Sequence, residues 1–175
     1  MNVISIDPSL RHTGIFQRID GKLSADLFEP KSKDRIKALS EFLFYFINLP
    51  KGFDLCLIED YAPHAKGNQA QVQGEIGGII RACFQARGVP VIEVPISTWQ
   101  SVTGISIKRG TTMADSDYLN AVANKYKIRL QTTHEADAYM IYEAVRRSAR
   151  KLLPQQGAQN IRQRLEDLKI NFEEL

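Results

Sequence analysis

An Asp-Gly pair between two apolar runs, close to the start of the chain, constrains the fold more than any other feature. Residues 2–7 read as a buried strand, and Gly14–Ile19 and Lys22–Phe28 as two more, with Asp20-Gly21 joining the last two. Both central positions of a tight hairpin loop need positive φ, which Asp-Gly supplies at little cost. The chain is therefore expected to open as an antiparallel meander.

After the meander, helical and extended patterns alternate. A helix is expected over Lys33–Asn48, with Ile36, Leu39, Leu43, Phe46 and Ile47 on one face and Pro50 and Gly52 ending it. Phe53–Glu59 is mostly apolar, as suits a strand buried on both sides. A polar loop runs to Asn68, then a helix to about Arg87 ends at Gly88, and Val89–Val94 is again a strand. Ser97 is expected to cap a short helix that stops at Gly104, and Lys108-Arg109-Gly110 closes a basic loop. Thr112 with Asp115, and Thr132 with Glu135, have capping-box spacing for helices to about Tyr126 and Lys151, the second broken by Pro154–Gly157. A meander followed by alternating elements makes a mixed α/β sheet.

Composition narrows the class. At 175 residues and 19.8 kDa the chain suits one domain with a substantial core. Its 43% hydrophobic and 25% charged residues are globular proportions, not those of a disordered tail. No run of 18 apolar residues spans a membrane, and no basic segment ahead of an apolar stretch marks a signal peptide. Cys56 and Cys83 form no zinc motif, which points to a reducing, cytoplasmic compartment and inert buried thiols. The net charge of +3 permits an anionic partner without demanding one.

The last segment has its own pattern. Ile161, Leu165, Leu168, Phe172 and Leu175 are spaced 4, 3, 4 and 3, a heptad seam two heptads long. Either it is a terminal helix docked on its own domain or it is a self-association or partner helix. Residues 1–151 accordingly form the main domain and 152–175 a helical extension.

Four residues stand out chemically. Asp7 and Glu59 each end an apolar strand; if those strands are parallel neighbours, both carboxylates emerge at the carboxyl edge of the sheet, where α/β folds bind ligands. His134 and Asp137 are three apart, and Ala138, Ile141 and Val145 continue their face, so both point at the sheet from a helix's first turn. Glu135 lies about 100° round the helix and is expected to face solvent. Three converging carboxylates raise one another's pKa and call for bound cations, with Mg²⁺ or Mn²⁺ suited to hard oxygen ligands. Two such ions about 3.5–4 Å apart clamp the attacking and leaving oxygens of a phosphodiester displacement. The plainer readings are a turn residue at each strand end and a dipole match at the helix start.

These residues fall in motifs. Ile6-Asp7-Pro8-Ser9-Leu10-Arg11-His12-Thr13-Gly14 resembles the opening motif of RuvC-type Holliday junction resolvases. Ile58-Glu59, a loop with Lys66-Gly67-Asn68 and the helix Gln73-Gly74-Glu75-Ile76-Gly77-Gly78 resemble the family's second acidic motif. Val94-Pro95, Val102-Thr103-Gly104 and His134-Glu135-Ala136-Asp137-Ala138 resemble its later segments, in order, across about residues 3–148. The resemblance implies a ribonuclease-H-like fold, a mixed five-stranded sheet of order 3-2-1-4-5 with strand 2 antiparallel. It implies a cytoplasmic bacterial or phage enzyme, a homodimer with two active sites facing a four-way junction. Asp7, Glu59, His134 and Asp137 would be catalytic and carry two Mg²⁺ ions, with Mn²⁺ able to substitute. His134 would position or deprotonate the attacking water, and the products would be paired nicks with 5′-phosphates.

The chain also departs from that pattern. His134 stands where many members have a carboxylate. The loop Asp60-Tyr61-Ala62-Pro63-His64 differs from the family, which places an aromatic wedge there; Tyr61 is the first candidate and His64 the second. Asp60 neighbours the metal acid, but the motif aligns on Glu59. Further DNA-contact candidates are Arg11, Lys66, Asn68, Lys108 and Arg109, with Thr111 and Thr112 placed for phosphate at a helix start. Arg146, Arg147, Arg150 and Lys151 either add to these or form a solvated helix end. Two other classes compete: a fragment of a sugar-kinase or actin-like ATPase, which shares the opening hairpin but needs two such domains, and a non-catalytic junction-binding or assembly protein.

Overall fold

The computed structural model describes residues 1–60, 68–105 and 115–175, with Asn68 and Gln69 described by their backbone alone. Strands β1 (Val3–Asp7), β2 (Thr13–Ile19) and β3 (Lys22–Phe28) form the meander, and Asp20 (φ 50°) and Gly21 (φ 77°) make its turn. Helix α1 (Arg35–Ile47), strand β4 (Leu55–Glu59), helix α2 (Asn68–Gln85) and strand β5 (Val91–Val94) follow. Then come α3 (Ile96–Thr103), α4 (Asp115–Tyr126), α5 (Thr133–Arg150), α6 (Gln156–Asp167) and a 3-10 turn at Phe172–Glu174. The sheet order is β3-β2-β1-β4-β5; β1 runs antiparallel to β2 and parallel to β4, and β4 is parallel to β5. This is the five-stranded mixed sheet expected.

Strand periodicity divides the apolar residues between two layers. Val3, Phe16, Leu55, Leu57, Ile92 and Val94 face a core shared with α3, α4, α5 and α6. Ile4, Ile6, Ile15, Cys56 and Ile58 face a second core built with α1 and α2. Cys56 and Cys83 lie in that second core as free thiols, and burial pushes both thiol pKa values up. Helix α5 lies along the opposite face of the sheet, against β1 to β4, and is buried almost all round.

Three expectations need correction. The buried face of α1 is Ala38, Phe42 and Phe46, while Ile36 is 70% exposed and Leu43 and Ile47 are also exposed. The helix is apolar on more than one stripe, and packing against α2 selects the stripe at 38, 42 and 46. Helix α3 begins at Ile96 with Pro95 as its N-cap and no side-chain cap, so Ser97 lies inside its first turn. The extension is not a continuous seam: α6 ends at Asp167, and Lys169 turns the chain with φ 57°. Ile161 and Leu165 are buried in the core under α5, and Leu168 is exposed. The start of α6 sits against α3 so closely that a Cβ on Gly157 would lie 2.3 Å from Thr98 Oγ1. Among the described residues, no helix is long and apolar enough to cross a membrane.

Candidate active site

Asp7 and Glu59 end the parallel neighbours β1 and β4, whose last recorded pair is Ile6 with Ile58. Both continue the alternation of Val3, Leu55 and Leu57, so both face the α5 side of the sheet at its carboxyl edge. Asp7 is only 7% exposed, and a carboxylate so buried needs a donor. His134, in the first turn of α5, supplies it: Nδ1 lies 2.8 Å from Asp7 Oδ2. Facing a carboxylate, Nδ1 carries the proton and donates. That hydrogen bond with Asp7 pushes the imidazole pKa up; burial opposes it, and the Asp7 and Asp137 charges reinforce it.

The approach depends on Gly14, which pairs with Asp7 across β1 and β2. A Cβ on Gly14 would stand 1.9 Å from the backbone oxygen of His134, so the first turn of α5 rests directly on the bare backbone of β2. The loop between β1 and β2 is braced as well. Thr13 Oγ1 donates to the Ser9 carbonyl (2.7 Å) and accepts from the Ser9 N–H (3.1 Å). Arg11 donates to the carbonyls of Ser32 and Lys33, both at 3.0 Å, and ties this loop to the segment before α1.

The other two acids are held by aromatic donors. The Trp99 indole N–H donates to Glu59 (3.1 Å), and the Tyr118 hydroxyl donates to Asp137. The Tyr118 hydroxyl is pushed far up, first by burial, then by Asp137, and further by the charges of Asp7 and Glu59. One phenol therefore senses all three carboxylates. His12 adds a stacked ring, 5.7 Å from His134 between centroids.

The sequence reading did not assign Trp99, Tyr118 or His12 to the site. Trp99 in α3 and Tyr118 in α4 are almost fully buried, and each turns its one polar hydrogen to an acid of the site. Glu135 is the converse. Expected in solvent, it is 6% exposed, because its carboxylate folds back onto the backbone N–H groups of Gln131 (2.6 Å) and Thr132 (2.9 Å) as half of a capping box. It helps fix where α5 begins.

Asp7 and His134 are thus in contact, Glu59 ends the strand beside β1, and Asp137 lies one turn further along α5. Their donor set, three carboxylates and one imidazole nitrogen, fits a hard divalent cation. As they lie, each carboxylate is engaged by His134, Trp99 or Tyr118. Among the described residues, no three His, Cys, Asp or Glu side chains stand close enough together to hold an ion. Tyr61, His64, Lys66, Lys108, Arg109, Thr111 and Thr112 lie outside the described residues, and Asn68 opens α2.

No protein-family model matches the chain, and no curated protein matches it. Solved structures do. Thermus thermophilus RuvC in complex with a Holliday junction substrate superposes with a TM-score of 0.66 at 16% identity, covering 86% of this chain and 95% of that one. Another Thermus thermophilus RuvC structure gives 0.61 at 18% identity, covering 86% and 96%. The resemblance carried by the motifs is thus matched in three dimensions: this chain has the ribonuclease-H-like fold of RuvC, with the sheet order 3-2-1-4-5.

Proposed function

We propose that this chain is a divalent-metal-dependent, structure-selective DNA endonuclease that cuts four-way junctions and related branched DNA. The observation that carries the reading is the contact of His134 with buried Asp7 at the carboxyl edge, with Glu59 on the adjoining strand and Asp137 one turn along α5. The fold supports it, since a RuvC of this architecture is known in complex with a Holliday junction substrate.

Asp7, Glu59 and Asp137 would hold the metals, two Mg²⁺ or in their place Mn²⁺, with His134 as the nitrogen donor. Bound there, such ions neutralise the charge that develops on the phosphate and lower the pKa of water. With Nδ1–H committed to Asp7, the Nε2 of His134 is the nitrogen left to ligate or to receive a proton from the attacking water. Asp7 fixes that tautomer and the ring plane. Trp99 and Tyr118 orient Glu59 and Asp137, and the bare Gly14 backbone sets the distance between α5 and the strand.

DNA would be engaged by Arg11, Lys66, Asn68, Lys108 and Arg109, with Tyr61 or His64 wedged at the junction centre. Two copies would face one junction and release paired nicks with 5′-phosphates, in the cytoplasm of a bacterial or phage-infected cell.

The test is cleavage of a labelled four-way junction beside linear duplex, with Mg²⁺ and with chelator. We expect metal-dependent paired cuts on the junction alone. In Asp7→Asn, Glu59→Gln or Asp137→Asn, cleavage should vanish while binding persists or tightens, because each loses a metal carboxylate and also a repulsion against phosphate. Binding without cuts under any divalent metal would instead support the non-catalytic junction-binding reading. Loss of binding together with cleavage would refute the site assignment.

A further inference from the structure

At the far end of α5 the structure builds a second charged site. Glu143 is 2% exposed, and it is held by two guanidiniums. Arg146 forks onto it (2.7 and 2.8 Å), and Arg147 Nε donates to it (2.8 Å). Arg147 also lies over the Tyr126 ring, 5.1 Å from its centroid, and Lys125 lies 5.9 Å from the same ring. Arg146, Arg147, Arg150 and Lys151 surround a pocket of about 230 Å³ whose apolar walls are Val102 and Leu153. Arg150 and Lys151 are exposed and make no ion pair among the described residues.

This is more charge than the fold requires. One buried carboxylate is neutralised by one cation, and a helix C-terminus is complemented by a cation or two in its last turn. Here five cations, Lys125, Arg146, Arg147, Arg150 and Lys151, face one acid, Glu143, a surplus of four. The whole chain has 23 basic and 20 acidic side chains, a surplus of three. The rest of the chain, counted by sequence, is therefore negative by one. Clustered cations around a concave pocket repel one another and are relieved by a polyanion.

We propose that Lys125, Arg147, Arg150 and Lys151 form a second phosphate-binding site, which holds a duplex arm of the DNA away from the cut. Arg150 is 16 residues along α5 from His134, about 24 Å at the α-helical rise. The cluster therefore stands at the opposite end of α5 from the reacting phosphate. The ligand rests on the proposed nuclease reading, whereas the charge and the pocket do not.

The experiment measures binding of the full chain to a four-way junction with long arms, under chelator, as a function of salt. Each phosphate contact contributes about 0.9 to the slope of log K against log salt. For Arg150→Gln/Lys151→Gln we expect a slope shallower by about two and affinity reduced roughly tenfold near 0.1 M salt. Arg150→Lys/Lys151→Arg should restore both. Methylphosphonates scanned along one arm should weaken the wild type over a stretch away from the crossover and leave the double variant unchanged there. An unchanged slope in the double variant, or equal sensitivity of both proteins to the neutral linkages, would overturn the site. A wild type that cuts junctions while slope and affinity ignore the double substitution would sink the arm site and leave the nuclease. A wild type that binds duplex through these residues but never cuts would sink the nuclease and leave the arm site.

Discussion

Gly14 carries no side chain where β2 passes beneath the first turn of α5, and that absence brings His134 to Asp7. Gly14→Ala would place a carbon against a backbone carbonyl that has no rotamer by which to escape. The helix start must lift, at a cost of about 1–3 kcal/mol, the range for overpacking. A melting scan should show a fall of about 2–4 °C per kcal/mol. Cleavage should drop more steeply than stability, because the His134–Asp7 contact opens first; a variant that melts early but cuts at the wild-type rate would contradict this.

Tyr118 makes a separate prediction at the same scale. Tyr118→Phe keeps the ring in the core and removes only the donor to Asp137. Folding should lose about 1 kcal/mol, while the Mg²⁺ concentration for half-maximal cleavage should rise by about tenfold, the range for removing a partner that orients a metal ligand. Equal metal dependence in both proteins would reduce Tyr118 to packing. The four candidate ligands were legible in the sequence because each announces itself locally: two acids close apolar strands, and two polar residues share the first turn of an amphipathic helix. Tyr118, Trp99 and His12 have no such local mark. Their hydrogen bonds and stacking join residues 19, 40 and more than 100 positions apart, so only the tertiary fold reveals them.

Among the elements, the meander was legible for a backbone reason, since Asp20-Gly21 dictates its own turn. Helix α1 was legible as a helix, but its buried face was not. Ile36, Leu43 and Ile47 form one stripe at helical spacing, and Ala38, Phe42 and Phe46 form another. Periodicity alone ranks the two equally, and contact with α2 and the sheet decides. Phe42→Ala should therefore cost about 3–5 kcal/mol, as for a fully buried aromatic, whereas Ile36→Ala should stay within about 0.5 kcal/mol. Denaturant midpoints with the order reversed would show that the helix turns its other stripe to the core.

For the molecule as a whole, the extension decides whether residues 156–175 complete the core or serve another purpose. Their heptad spacing is real, but spacing on a helix has meaning only while the helix continues. It stops at Asp167: the Lys169 N–H bonds to the Glu166 carbonyl and the Ile170 N–H to that of Leu165, both at 2.9 Å, with Lys169 in the left-handed region. The turn takes Phe172 and Leu175 off the seam. Phe172 comes under the Arg162 guanidinium, 4.7 Å away, and Leu175 is buried with its carbonyl accepting from the Tyr142 hydroxyl (3.2 Å). A docked extension and a self-association seam differ in their dependence on concentration. Leu165 is fully buried in the core under α5, and Leu165→Ala should remove about 2–5 kcal/mol, while exposed Leu168→Ala should change little. If Leu165 acts within its own chain, the loss in melting temperature is the same at micromolar and at hundred-micromolar protein. If the seam joined two chains, both substitutions would matter, and the deficit would shrink as concentration rose and mass action restored the dimer.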